Sequence, residues 1–337
     1  MTAGDQRIDD TSAPEKARSR NVGAMVERFA LLGAWALVIV VFGILRPDTF
    51  LTSANFSTIF GSQAVLVVLT LALLAPLTAG DYDLSVAATM GMAAMTLAIL
   101  NVTHEWPLAT SIAATLAVGL VIGVINGAIV VGLEIDSLIA TLGTSTFISG
   151  VILWVSDSQT ISGVSSGLID AVVASRLFGI PLAFYYGIAL GLVLFYVFEY
   201  TPLGRRLLFV GRGRSVARLS GIRVSRLRWG AFAASGVISA FAGVLYVGTL
   251  GSADPTSALS FLLPAFAAAF LGATTIMPGR FNPLGSIAAV YFLVTGITGL
   301  QLLGVQTFVQ QLFYGGALVL AVALSQFARR RDVASSG

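Results

Sequence analysis

Ten apolar stretches divide this chain, at residues 29–45, 60–77, 84–100, 108–133, 139–155, 180–198, 231–250, 261–276, 285–303 and 308–327. A helix crossing a bilayer needs about 20 largely apolar residues, with a range of about 17–25. The stretches meet that requirement one after another. The expected fold is therefore an all-α membrane protein of about ten transmembrane helices. The third and eighth stretches are short and adjoin polar loops, which leaves open whether each is a complete span or a broken or re-entrant one. Only 10% of the residues are charged and the mean hydropathy is +0.91, whereas about a quarter of a soluble domain is charged.

The organisation follows the same pattern. Residues 1–28 are polar, carry both signs of charge and lack an apolar run, which reads as a cytoplasmic tail and not a cleavable signal peptide. Residues 29–328 form the transmembrane domain, with a polar loop at 200–229, and 329–337 form a second cytoplasmic tail. Cytoplasmic segments of membrane proteins are enriched in Lys and Arg. With both termini inside and ten alternating spans, 17 of the 19 basic residues fall inside, and only Arg46 and Arg176 fall outside.

Several chemistries are excluded early. Lys16 is the only lysine and follows Glu15, so no phosphate-binding GxxxxGK[ST] loop exists and the chain holds no such ATPase site of its own. With no cysteine and one histidine, a zinc, haem or iron–sulfur centre is not expected, and no cofactor is implied. His104 lies in an external loop beside Trp106, so no base is available inside the spans to activate a nucleophile.

Eight arginines lie between Thr201 and Arg228. Within them, residues 215–220 have helical spacing, with Val216 and Leu219 on one side and Arg214 and Arg218 on another. Gly213 or Ser215 is placed to start the helix, Gly221 to end it, and Gly211-Arg212-Gly213 reads as a flexible lead-in. Such a surface helix can seat apolar residues in a partner while arginines reach its carboxylates. The charge suits a protein partner better than nucleic acid.

The residues then become familiar. Leu203-Gly204-Arg205-Arg206, Gly211 and Ala217-Arg218-Leu219-Ser220-Gly221-Ile222 resemble the cytoplasmic loop of ribose-type ATP-binding-cassette (ABC) permeases. Gly80-Asp81-Tyr82-Asp83-Leu84-Ser85 is similar to that family's Gly-x-Asp-Leu-Ser segment. Ile139-Ala140-Thr141-Leu142-Gly143-Thr144 is similar to its Ile-Ala-Thr-Leu-Gly-Thr segment, and Asp254-Pro255-Thr256 and Leu271-Gly272 fall in the same order. The resemblance implies a ten-helix fold like that of the vitamin B12 importer permeases. It also implies pairing with a second permease subunit, ATP-binding cassette ATPase subunits, an external sugar-binding protein and surrounding membrane lipid. It assigns coupling to the ATPase to Gly204, Arg205, Gly211, Ala217, Leu219, Gly221 and Ile222, to which the helix reading adds Arg214 and Arg218. Sugar or polyol import is the function implied, at the plasma membrane. A branched-chain amino-acid permease is the nearest alternative, and an ion-coupled transporter would need mid-span acids that the chain lacks.

Ionisable groups at membrane depth are functional candidates. Asp81 and Asp83, with Pro76 and Gly80, break an apolar region, which suggests backbone lining a cavity. With the hydroxyls of Ser85 and Thr141 they are the expected substrate path, and Asn126 is grouped with them. Gly119, Gly123 and Gly127, Gly187 and Gly191, and Ser235, Ser239 and Gly243 are expected to let helices approach closely. Gln63, Gln301, Gln310, Gln311 and Tyr314 either line a path or bridge helices.

Overall fold

A computed structural model describes residues 13–306 and 308–335, with side chains over 28–306 and 308–323. Residues 1–12 and 336–337 of the two expected tails lie outside the described residues. The first helix, α1 (Ala13–Leu45), begins inside the expected polar tail and leads into the first span. After the single turn α2 (Pro47–Phe50), the second span is built from α3 (Ser53–Ser62) and α4 (Ala64–Thr78), which part at Gln63. The third span is α5 (Val86–Ala98), extended by a π-helical turn at Ile99–Thr103. Then come α6 (Leu108–Gly127), which also ends in a π-helical turn, and α7 (Ser137–Val155).

A short connection holds the one-turn α8 (Ser166–Ile169) and two-residue strands. Ile161–Ser162 pairs with Ser252–Ala253, and Arg176–Leu177 with Ile180–Pro181, both antiparallel. The second half runs through α9 (Leu182–Tyr200), α10 (Pro202–Arg212), α11 (Arg214–Leu219), α12 (Val224–Leu250) and α13 (Leu262–Gly272). It closes with α14 (Pro283–Leu302) and α15 (Phe308–Ser335).

Among the described residues, eight helical segments are long and apolar enough to cross a membrane, and two shorter apolar helices cover Ser257–Gly272 and Phe308–Ala323. The eighth sequence stretch is thus a short helix, entered through a 3-10 turn at Ser257–Phe261. The third is preceded by irregular backbone. The third stretch itself is a complete helix, Val86–Thr103, so of the two only the eighth is short.

Burial follows from the residue pattern. A helix apolar on every face must be surrounded, and every residue of α4 is buried, with α9, α12, α13 and α14 packed around it. By contrast α1, α7 and α9 keep large apolar side chains on their outer faces, among them Leu37, Phe147, Trp154 and Tyr196. The small-residue stripes set close helix contacts. A Cβ at Gly119 would collide with the Gly236 carbonyl of α12, and one at Gly123 with the Phe232 carbonyl. Those glycines therefore bring α6 and α12 to backbone contact, as small residues do in membranes. Gly187 and Gly191 make room on α9 for the side chains of Val67 and Ile287.

Candidate functional site

The chemistry-bearing residues gather where the membrane core meets the arginine-rich loop. Helix α4 ends in a Schellman turn: Gly80, at φ +78°, donates its N–H to the Leu77 carbonyl, and Asp81 donates to Pro76. This turn aims Asp81 at the loop. Its carboxylate, 2% exposed, accepts from Arg228 Nε at 2.7 Å and from Arg228 Nη2 and Arg214 Nη2 at 2.8 Å each. Arg214 also donates to the Gly80 carbonyl at 2.7 Å. Two cations thus meet one buried anion and the carbonyl end of α4, where a helix dipole favours positive charge.

Asp83 faces the other way. Its Oδ1 accepts from the Ser85 backbone N–H and hydroxyl, and its Oδ2 from the Ser235 hydroxyl of α12 at 2.7 Å. Asn126 Nδ2 on α6 donates to the Ser85 hydroxyl at 2.7 Å. The bonds tie α5, α6 and α12 together at the start of α5. Residues 82–84 have no helix to satisfy their backbone, and α7 supplies the partners. Tyr82 N donates to Ser137 Oγ and Leu84 N to Thr141 Oγ1. Irregular backbone inside a membrane protein needs such partners. All five expected path residues are therefore buried and bonded within the chain.

The loop itself is two helices and a turn. A Cβ at Gly204 would run into Phe198, and one at Gly211 into the Thr78 carbonyl, so α10 lies directly on the end of α4. Gly211 sits inside α10 as a point of contact. The expected flexible lead-in at 211–213 is absent, because that contact leaves it no room. Gly213 is the N-cap of α11 and provides no side-chain bond. Gly221, at φ +77°, closes α11 in a second Schellman turn, with Gly221 N donating to Arg218 and Ile222 N to Ala217.

Helix α11 buries Ala217 against Val210 and Val224, with Ile222 packed alongside. Its opposite face is bare: Leu219 is 89% and Val216 56% exposed. Beside it a groove of about 550 Å³ is lined by Arg206, Arg223, Arg226 and Gly221. Arg205 and Arg218 are exposed; Arg214, itself 42% exposed, reaches inward to Asp81. Near the same end, Arg280 Nη2 pairs with Glu199 at 2.8 Å. Sequence reasoning missed Arg228 as the main partner of Asp81, 147 residues away, and Ser235 as a partner of Asp83. No local pattern links such distant positions.

At the opposite end of α4 lies a second feature. Gln63, Gln301, Gln310, Gln311 and Tyr314 converge on one cavity of about 710 Å³ between α4, α13, α14 and α15. Among the described residues, no group of three or more His, Cys, Asp or Glu is placed to hold a metal ion.

The fold and this loop define a polytopic all-α membrane protein with a basic, apolar-tipped surface beneath its core. A family model described as the permease component of the branched-chain amino acid transport system matches residues 53–322, and the chain belongs to that family. It is 31% identical over 313 residues to the ribose import permease protein of Bacillus subtilis (strain 168), covering 93% of this chain and 96% of the relative. It is 29% identical over 306 residues to the D-allose transport system permease protein of Escherichia coli (strain K12), covering 91% and 94%. The autoinducer 2 import system permease of Photorhabdus laumondii subsp. laumondii is 30% identical over 301 residues, covering 87% and 89%. No solved structure matches the chain.

Proposed function

We propose that this chain is the membrane-spanning subunit of an ABC importer that carries a sugar or sugar-like polyol across the plasma membrane. Energy comes from partner ATPase subunits, substrate from an external binding protein, and the path forms with a second permease subunit within the lipid bilayer. The sugar assignment is supported by relatives aligned over about nine-tenths of the chain, named for ribose and D-allose import. Both termini lie in the cytoplasm on this reading, which puts the arginine loop beside the ATPase. The chain itself performs no hydrolysis.

One observation carries the mechanism: a short helix that presents bare Val216 and Leu219 outward and holds Asp81 through Arg214 on its inward side. A partner that grips the outer face pulls on Asp81. Asp81 sits at the end of the central helix α4, and the same cluster anchors the start of α12 through Arg228. Movement of the ATPase pair is thereby passed to α4 and α12 together, and the helices tilt as one unit. A ligand shifts such an equilibrium only through different affinity for the two states, here the ATP-bound and ATP-free forms of the partner. Asp83, Ser85, Thr141 and Asn126 act on this reading through the backbone break they fix, around which the path bends.

The test is reconstitution of the complete transporter in liposomes with radiolabelled aldoses inside or outside. ATP-dependent accumulation of an aldose supports the reading. Accumulation of leucine and no aldose would replace it with the amino-acid alternative.

A further inference from the structure

The glutamine-lined cavity lies far from the ion pairs of the loop. Its walls come from the two ends of a broken span at Gln63, the last turn of α14 at Thr298 and Gln301, and the first turns of α15 at Gln310, Gln311 and Tyr314. In the topology above, all of these are external ends. The volume of about 710 Å³ lies within the 300–1,000 Å³ typical of small-molecule sites.

The chemistry of the wall is selective. None of its lining residues is Asp, Glu, Lys, Arg or His. A zwitterionic ligand would enter without a partner for either charge, at a large desolvation cost. Primary amides instead offer two donors and an acceptor each, the pattern that pairs with neighbouring hydroxyls. The internal bonds are few: Gln301 Nε2 reaches Gln310 Oε1 at 3.5 Å, Gln63 Nε2 donates to the Ser62 hydroxyl at 3.0 Å, and Tyr314 bonds Gln310. Gln311 and Thr298 bond no described residue through their side chains. Phe261 adds an aromatic face to the same wall. Isolated glutamines usually bridge helices; these converge with much of their bonding capacity unspent.

We propose that this cavity is a binding site, within a single subunit, for an uncharged polyhydroxylated ligand of monosaccharide size. It receives the ligand at the external face before the path opens. The inference rests on the importer reading, and it excludes amino-acid substrates on chemical grounds.

The natural absence of cysteine makes the test direct. Gln301→Cys and Gln311→Cys are introduced separately in the complete transporter in cells and treated with a membrane-impermeant maleimide. His104→Cys, in an exposed loop, is the control. Labelling is timed with and without excess D-ribose, D-allose, D-galactose, L-arabinose or L-leucine, and uptake of each is measured in the unmodified complex. The sugar that is taken up should slow labelling at 301 and 311 by about threefold or more once it exceeds its Kd, with no effect at 104 and none from leucine. A transported sugar that leaves both rates unchanged, as when lipid fills the cavity, overturns the site while the importer reading stands. Uptake of leucine alone overturns the sugar-importer reading itself.

Discussion

Arg228 holds Asp81 with two parallel bonds, Nε to Oδ2 at 2.7 Å and Nη2 to Oδ1 at 2.8 Å. Arg228 is 13% exposed and Asp81 2%, so neither charge has much water to fall back on. Breaking a buried pair outright costs about 3 kcal/mol or more; here Asp81 keeps the half-exposed Arg214 at 2.8 Å, so losing Arg228 costs less than that. Arg228→Met should therefore lower the unfolding temperature of the purified protein in nanodiscs. The double variant Arg228→Met/Asp81→Leu should recover part of that loss. Equal melting of the single variant and the unchanged protein would show that the pair carries no stability.

The bare tip of α11 yields a separate expectation. Leu219→Asp leaves the buried side of the helix, Ala217 against Val210, untouched. Membrane insertion and yield should stay as they are, while co-purification of the ATPase falls about tenfold, the effect of losing roughly 1.4 kcal/mol from a buried interface side chain. Undiminished co-purification would move the docking surface elsewhere.

Close approach at Gly211 and left-handed backbone at Gly221 make different demands. Gly211→Val drives a branched Cβ into the Thr78 carbonyl and should abolish folded protein in the membrane. Gly221→Ala meets open space and loses only the freedom of positive φ, at about 1–2 kcal/mol. A fluorescence-detected size-exclusion profile of both separates the two demands.

Asp254 sets a clear acid dependence. Its Oδ1 accepts from the Ser257 and Thr256 hydroxyls and backbone N–H groups, which hold its carboxyl well below the usual carboxylate range. A depressed pKa contributes stability that is present above the unfolded value of about 3.9 and lost as pH falls toward the folded one. The unfolding temperature of the unchanged protein should exceed that of Asp254→Ala by a constant margin from pH 7 to about pH 5. The margin should shrink below about pH 4. A margin that grows on acidification would reverse the sign.

The sequence exposed what repeats or runs locally. Apolar runs marked the spans; shortness at the eighth stretch pointed to the short α13, whereas the third, also short in sequence, is a complete helix at Val86–Thr103. Glycines four apart marked the α6–α12 contact, since that spacing puts Gly119 and Gly123 on one face. The meaning of Gly211 was hidden, because a glycine needed for room and one needed for freedom look alike in a sequence. Arg228 was one of eight loop arginines with nothing local to separate it from the others. The glutamine cavity draws single residues from distant segments, and each alone resembles an ordinary helix bridge.

The central claim is that Asp81 transmits the movement of the ATPase to the membrane core. It is tested most directly by the ratio of sugar imported to ATP hydrolysed in liposomes holding the complete transporter with Asp81→Asn. The amide keeps the size of the side chain and removes its charge. The account predicts that the ATPase subunits stay bound and hydrolysis continues, while sugar imported per ATP falls about tenfold, the equivalent of about 1.4 kcal/mol of lost coupling. An unchanged ratio, with the assembly intact, would contradict it.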